Sequence, residues 1–368
     1  MVNFHNSETP PLFLPENILS KSGVIYLNNG NSVVLNTLGV PAIYSFKHLC
    51  DQLSITEQLL YFLTYKKEYC YYEKKIPKKN KEYRILNVPN LSLKVVQRWI
   101  LKEILEKIYV SDQAMAFVPH KNGLKENAQR HKKKVFLLQM DITNFFGVIT
   151  EEQVYKLFCN IGYSNKIAGV LTNLCTYHGY LPQGAVTSPY IANLVCYHMD
   201  ARINGYCSRR DIVYTRYADD LAFSSDNRTL LNKVEKFIKY IVADEGFIIN
   251  EKKTRYTSND VKKTITGITI NYDGVHVDKK FKRNLRTQIF SSIISKDYSC
   301  NNQILGKIAF VDSIEDGFKN KMIEYIKSII ERSRFKADKS IVNAFNSNKL
   351  FFELPNMEYV EEVELPFC

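Results

Sequence analysis

The sequence predicts an α+β protein, and three observations carry that prediction. Two short runs rich in aromatic, Thr and aliphatic residues, 212–217 and 221–224, flank the pair Asp219-Asp220 and read as the strands of a hairpin. The apolar run Val135-Phe-Leu-Leu-Gln-Met-Asp141 ends abruptly in an acid, the pattern of a buried strand that delivers a carboxylate to its tip. Helical periodicity is equally plain: apolar residues at 93, 96, 100, 104 and 108 share one face, and 230–242 and 278–294 are further amphipathic stretches.

The chain has 368 residues, 45% of them apolar, enough for a large core and two or three lobes. Fifty Lys and Arg against 38 Asp and Glu give a net charge of +12 and a pI near 9.1. That balance points to a polyanionic partner, and to nucleic acid before membrane, because the longest apolar runs fall short of a membrane span. The N-terminus lacks a signal-peptide layout, so a cytoplasmic protein is expected. Eight cysteines form no C-x-x-C pair and no zinc spacing, and their apolar surroundings predict reduced, buried thiols.

Taken in order, residues 1–53 offer only turn signals. Ser54-Ile-Thr-Glu57 reads as a capping box that opens a helix through Leu60 and Leu63. The stretch from Ile76 to Pro89 resolves into a basic hairpin carrying Lys78, Lys79 and Arg84. It is either a solvated turn or a grip on a triphosphate, to which Arg is suited by its bidentate geometry. Asn127 and His131 sit in a polar segment, where His131 is either an RNA contact or a hydrogen-bonded structural group. Thr150-Glu-Glu-Gln153 caps another helix. In Leu181-Pro-Gln-Gly-Ala-Val-Thr-Ser-Pro189, Gly184 permits close backbone approach and Gln183 brings an amide beside it. Ser188 and Pro189 then suit the N-cap and first position of a helix, and such junctions are ready sites for nucleotides.

Asp219 and Asp220 are either a solvated turn or half of a cation site. Adjacent carboxylates repel, and a divalent ion removes that cost. After the hairpin, Gly246 leads through a short strand to Lys252 and Lys253, and Ile265-Thr-Gly-Ile-Thr-Ile-Asn271 reads as a strand with a glycine break. The helix expected over 278–294 displays Lys279, Lys280, Lys282, Arg283 and Arg286, an all-basic face that suggests nucleic-acid contact. A last helix is expected near 313–332. The tail from Glu353 has five Glu interleaved with apolar residues and no Lys or Arg, which suggests docking on this protein or on a partner.

As an ordered set these motifs resemble a reverse transcriptase, and within that family the retron type. The set comprises the basic hairpin, Asp141 with Phe146, Gln183-Gly184 with Ser188-Pro189, Tyr217-Ala-Asp-Asp220, and Gly246-Phe247 with Lys252-Lys253. Asn127 with His131, and Thr266-Gly267 after Ile265, are similar to retron signatures. Ile265 replaces the family's usual Val, and Val186 stands where many relatives carry Pro. The resemblance implies a right-hand polymerase: fingers and palm over 54–265, a helical RNA-binding thumb over 266–352, and a tail over 353–368. It implies that Asp141, Asp219 and Asp220 hold two Mg²⁺ ions about 3.5–4 Å apart. Lys78 or Lys79 and Arg84 would grip the incoming dNTP's triphosphate, Gln183 and Gly184 would meet its nucleotide, and Phe146 would stand against its sugar. Lys253 would donate a proton to pyrophosphate. Asn127, His131, Thr266, Gly267, Lys279, Lys282, Arg283 and Arg286 would serve the RNA.

The implied function is copying a cognate structured non-coding RNA into DNA from a 2′-hydroxyl primer. Its product would be a bound, branched RNA–DNA hybrid (msDNA) that serves antiphage defence with a separate effector protein. Group II intron-like or abortive-infection reverse transcriptases, and a non-enzymatic RNA-binding scaffold, are the alternatives. No maturase or endonuclease extension is recognisable, which argues against the intron type, and three retained aspartates argue against the scaffold.

Overall fold

A computed structural model describes residues 31–77, 83–295, 297 and 299–330. Lys78 and Lys79, residues 1–30 and the acidic tail lie outside the described residues. Helices α1 (Ser32–Thr37), α2 (Phe46–Leu53) and α3 (Glu57–Tyr65) precede strands β1 (Tyr71–Pro77) and β2 (Tyr83–Pro89). Next come α4 (Leu91–Glu103), α5 (Gly123–Arg130), β3 (Phe136–Asp141), α6 (Glu151–Ile161) and α7 (Asn165–Cys175). They are followed by α8 (Ser188–Val195), α9 (Tyr197–Ser208), β4 (Val213–Tyr217), β5 (Asp220–Ser225), α10 (Arg228–Asp244) and β6 (Arg255–Thr257). The last elements are β7 (Lys263–Ile265), β8 (Ile268–Ile270), β9 (Val275–Val277), α11 (Lys279–Ser295), α12 (Asn301–Ile314) and α13 (Phe318–Ile330). Three sheets result: β1-β2, β4-β5-β3-β6 and β7-β8-β9. This is an α+β architecture.

Several local expectations move. Ser54 does not open α3; it ends α2 in the left-handed region at φ 54°, and Thr56 caps α3 by accepting from the Leu59 N–H. Thr150 and Gln153 do form the reciprocal capping box on α6. The helix from Leu91 stops at Glu103 and is followed by a single 3₁₀ turn, Leu105–Lys107. Lys252 and Lys253 lie on a 3₁₀ turn, Glu251–Lys253, reached through a single bridge at Ile249. The glycine break is a hairpin turn: Thr266 (φ 47°) and Gly267 (φ 82°) are both left-handed, as a two-residue turn matched to strand twist requires. The helix expected from Ser313 is two, with Ser313 inside α12 and α13 starting at Phe318. Six described cysteines are buried as expected, but Cys300 is exposed.

The described residues divide into two compact units, one within residues 31–120, 139–221 and 229–255, the other within residues 121–138, 222–228 and 256–330. In the first, helices α3, α4, α6, α7 and α8 bury Leu60, Leu63, Ile100, Phe158, Leu171 and Ile191. In the second, β7–β9 and helices α5, α11, α12 and α13 enclose one apolar core, including Ile268, Leu285, Ile289, Ile308, Val311 and Met322. Polar ties fix α5 to this core: the Asn122 amide donates to the Ser313 carbonyl (2.8 Å), and Lys125 pairs with Asp316 (2.7 Å).

His131 ends α5 inside this second unit, fully buried, with Nδ1 2.7 Å from Ser224 Oγ. Burial first, then the nearby cations Arg130 and Lys263, push its pKa down to about 3. An unfolded histidine titrates near 6.5, so between those values the unfolded chain binds the extra proton. The stability contributed by neutral His131 is therefore complete above about pH 6.5 and is lost as pH falls toward 3. From pH 7 to pH 5 this one group should remove about 2 kcal/mol, at 1.36 kcal/mol per pH step. Denaturant unfolding of the unaltered chain and of His131→Gln at both pH values checks it: the loss should be smaller by that amount in the variant. Equal losses would mean that His131 does not titrate on unfolding.

Candidate active site

Strand β3 is interior to its sheet, so Leu137, Leu138 and Met140 are buried and the strand reads as nearly continuous apolar sequence. Asp141 closes it and is itself buried, only 6% exposed. Three backbone bonds converge there. The Ile142 N–H donates to the Asp219 carbonyl (2.9 Å), the Thr143 N–H to the Ile248 carbonyl (2.8 Å), and the Asn250 N–H to the Asp141 carbonyl (2.7 Å). The tip of β3, the β4–β5 turn and the segment leading to Lys253 are thereby held as one unit. The turn itself contains Ala218 at φ 54°, a left-handed conformation that costs an L-residue about 1–2 kcal/mol.

The fold brings together the charges of Asp141, of Asp219 and Asp220, and of Lys253, which the sequence places far apart. Lys253 Nζ donates to Asp141 Oδ2 at 2.8 Å, and that bond raises the lysine's pKa, so it keeps its proton. Burial raises the pKa of Asp219, with Asp141 adding to the rise and Lys253 and Arg84 opposing it. Asp220 is crowded by protein although solvent reaches part of it. Burial, Asp219 and Asp141 push its pKa up to about 6 against the pull of Lys253 and Arg255. Arg84, on β2, thus lies within electrostatic reach of Asp219, and Arg255, which sequence reasoning passed over, lies within reach of Asp220 and donates to Gln139 Oε1 (3.0 Å). Among the described residues no group of three or more His, Cys, Asp or Glu side chains is arranged around a metal position. The donor chemistry nevertheless suits a hard divalent cation: Asp219 and Asp220 meet Asp141 at adjoining strand tips, and both turn carboxylates are destabilised as anions by burial and by their acidic neighbours.

The Gln183-Gly184 loop is fastened to the basic hairpin. The Asn87 N–H of β2 donates to the Gln183 carbonyl (2.8 Å), and Gly184 sits at φ 113°, where an added Cβ would meet the Asn87 carbonyl at 3.0 Å. Only glycine fits both the backbone angle and the close approach. Ser188 does not cap α8, a position taken by Thr187; its hydroxyl donates to the Pro182 carbonyl (2.7 Å) and closes the loop. Gln97, fully buried on α4, accepts from the Val186 N–H (3.3 Å) and donates to Tyr71 Oη (3.0 Å) and the Leu174 carbonyl (2.9 Å). Sequence reasoning missed Gln97, though an amide on an otherwise apolar helix face is a readable signal. The aromatic pair after Asp141 divides its tasks: Phe145 is buried against Phe247 (centroids 5.8 Å), while Phe146 is half-buried at the start of a 3₁₀ turn.

Beneath the aspartate turn lies a buried polar network that the sequence reading also missed. Arg216 and Asp200 are both 0% exposed and joined by two bonds, Nε to Oδ1 (2.9 Å) and Nη2 to Oδ2 (2.7 Å). Tyr214 Oη donates to Asp200 Oδ1 (2.8 Å). Arg216 Nη1 donates to Asn193 Oδ1 (3.0 Å) and, more weakly, to the Ala218 carbonyl (3.4 Å). The available signal was a charge inside an apolar strand pattern, since a buried Arg requires a partner.

The residues expected at RNA belong to the second unit. Asn127 and His131 are buried and enclosed by protein, and His131 is engaged with Ser224, the hydrogen-bonded structural role that the sequence left open beside RNA contact. Gly267 is exposed at the β7–β8 turn, whereas the Thr266 hydroxyl is buried and makes no hydrogen bond. On α11, Lys279, Lys280, Arg283 and Arg286 are exposed, but Lys282 is paired with Glu315 through both carboxylate oxygens (2.7 and 2.8 Å). That Glu315 also accepts from the Val277 N–H (2.8 Å), so Lys282 serves the unit's own structure. Among the described residues no helix is long and apolar enough to cross a membrane.

The family described as reverse transcriptase (RNA-dependent DNA polymerase) matches residues 76–277. The chain is 32% identical to the retron Ec86 reverse transcriptase of Escherichia coli over 301 residues, covering 81% of this chain and 93% of that protein. It is 31% identical to the retron Ec83 reverse transcriptase of Escherichia coli, covering 67% and 84%. Among solved structures, the apo telomerase of Candida tropicalis superimposes with a TM-score of 0.46 and 13% identity over 76% of this chain and 61% of that one. The carboxylate tips, the hairpin and the glycine loop thus lie within the matched region, and the chain belongs to the reverse transcriptase (RNA-dependent DNA polymerase) family, among its retron-type members.

Proposed function

We propose that this RNA-directed DNA polymerase copies part of a structured non-coding RNA encoded with it, starting from a 2′-hydroxyl of that RNA. The branched RNA–DNA product stays bound and serves antiphage defence in a bacterial cytoplasm, together with a separate effector protein. The observation that carries this reading is identity spread over 93% of a retron reverse transcriptase, a span much wider than the polymerase motifs alone.

Family membership implies dependence on a divalent metal. Mg²⁺ is the ion proposed, held by Asp141 and Asp219 with Asp220 in support. Bound there, two such ions would supply charge neutralisation at the attacking hydroxyl and at the departing pyrophosphate. The protein's own groups supply positioning. Arg84, with Lys78 or Lys79, grips the triphosphate, and Gln183 and Gly184 bring backbone against the incoming dNTP. Phe146 excludes a 2′-hydroxyl, and protonated Lys253 is available to the leaving group. The exposed cations of α11, Lys279, Arg283 and Arg286, hold phosphates of the folded RNA, which is recognised chiefly through shape and backbone.

The test is the nucleic acid that copurifies with the full chain expressed with its neighbouring non-coding region. A molecule that ribonuclease shortens to DNA bearing a resistant 2′–5′ branch nucleotide is expected. A linear product with an ordinary 3′–5′ junction would overturn the priming proposal and favour an intron-like or abortive-infection enzyme.

A further inference from the structure

A second feature of the first unit lies outside the residues named for the polymerase site. Tyr206 on α9 and Phe237 on α10 stack with centroids 4.1 Å apart and planes 28° apart, and Tyr240 continues the series at 6.4 Å and 29°. The other end is closed by Arg210, whose guanidinium carbon lies 3.8 Å from the Tyr206 ring centroid while Nη1 donates to the Tyr206 carbonyl (2.9 Å). Phe237 and Tyr240 are exposed, Tyr240 to 64%, so one ring face remains open to solvent.

Helix spacing places cations in the same row. Lys233, Phe237 and Tyr240 follow at i, i+4 and i+7, and Lys236 stands one turn before Tyr240, with both lysines exposed. The nearby Glu235 is taken by Lys239 (2.6 Å). A solvated helix face would place polar side chains where Phe237 and Tyr240 stand. The ladder also begins away from the carboxylates: Arg210 precedes β4, whereas Asp219 follows it, and five strand residues separate the two ends by about 17 Å.

We propose that this row of rings and cations is a binding site for single-stranded nucleic acid, in which a base stacks on Tyr240 and adjacent phosphates meet Lys233 and Lys236. Flat apolar faces alternating with positive charge complement a chain of bases and phosphates, and stacking tolerates any sequence. The site would hold template or product strand outside the polymerase centre, whatever primes synthesis.

The test uses the full chain, freed of copurifying nucleic acid, and a fluorescein-labelled 20-nucleotide single-stranded RNA of mixed sequence. Binding is followed by anisotropy across a salt series. Tyr240→Ala should weaken binding about 5- to 150-fold, the range for loss of one stacked base, while Tyr240→Phe retains it. Lys233→Ala/Lys236→Ala should flatten the slope of log affinity against log salt by about 0.7 for each phosphate that is no longer neutralised. Extension of a short primed template should be unchanged in all three. With the unaltered protein, 4-thiouridine RNA should crosslink within residues 237–240, a readout independent of any variant's folding. Unchanged affinity and slope, or crosslinks confined to other segments, would overturn the proposal. So would variants that alter sedimentation of the protein without altering RNA affinity, because the face would then join copies of the chain.

Discussion

Asp219→Asn lowers DNA synthesis by about three orders of magnitude or more and leaves the fold intact. The amide keeps the shape of the side chain and removes one of the charges gathered at the strand tips. The carbonyl that accepts from the Ile142 N–H is main chain and is untouched. Little covalent chemistry falls to the protein in nucleotidyl transfer, so positioning and charge neutralisation carry most of the acceleration. Loss of one such group in other enzymes costs about 10²–10³-fold, and a group that holds a cation should cost at least as much. The same substitution relieves repulsion. Burial and Asp141 raise the pKa of Asp219, and Asp219 in turn raises that of Asp220, so the variant should unfold at the same temperature as the unaltered chain or slightly above it. Extension of a primed RNA template in Mg²⁺, run beside a thermal melt, reads both effects. Near-normal extension would remove Asp219 from the catalytic centre.

The part of this site that was legible in the sequence is the part written locally. Asp141 ends an apolar run and Asp219-Asp220 interrupts another, so each carboxylate announces itself within a few residues. What was missed depends on partners distant along the chain or on choices between near-equals. Gln97 meets Val186 across 89 residues, and nothing local specifies that pairing; Lys253, which meets Asp141 across 112, was placed at the site only through the family resemblance. Ser54 and Thr56 are both competent caps, and only the helix before them assigns Ser54 to its end. Strands β7 and β8 are three residues each, too short for alternation to show, so the left-handed turn at Thr266-Gly267 passed as a flaw in one strand. The basic face of α11 was legible as charge, but the sequence could not show that Lys282 is committed to Glu315.

The buried pair beneath the turn yields the other large effect, and its outcome separates stability from positioning. Arg216→Met leaves the Asp200 carboxylate without its cation in a fully buried place, and Asp200→Leu does the converse to Arg216. Breaking one side of such a pair costs about 3–5 kcal/mol, because a charge is left desolvated and unpaired. Removing both charges is often neutral or stabilising, since their joint desolvation is also relieved. Arg216→Met/Asp200→Leu should therefore recover most of the stability that either single change loses, although the Tyr214 hydroxyl must find a new acceptor. Activity should not follow. The guanidinium also reaches Asn193 and the carbonyl of Ala218, the left-handed residue immediately before Asp219, and neither apolar side chain replaces those bonds. A turn released from this hold would misplace the carboxylate by a fraction of an ångström to an ångström, enough to cost up to about 10²-fold in rate. Denaturant unfolding and primed extension of the two single variants and the double variant distinguish the roles. A double variant that recovers stability and activity together would make the pair a packing feature alone, whereas recovered stability with depressed synthesis assigns Arg216 to holding the aspartate turn.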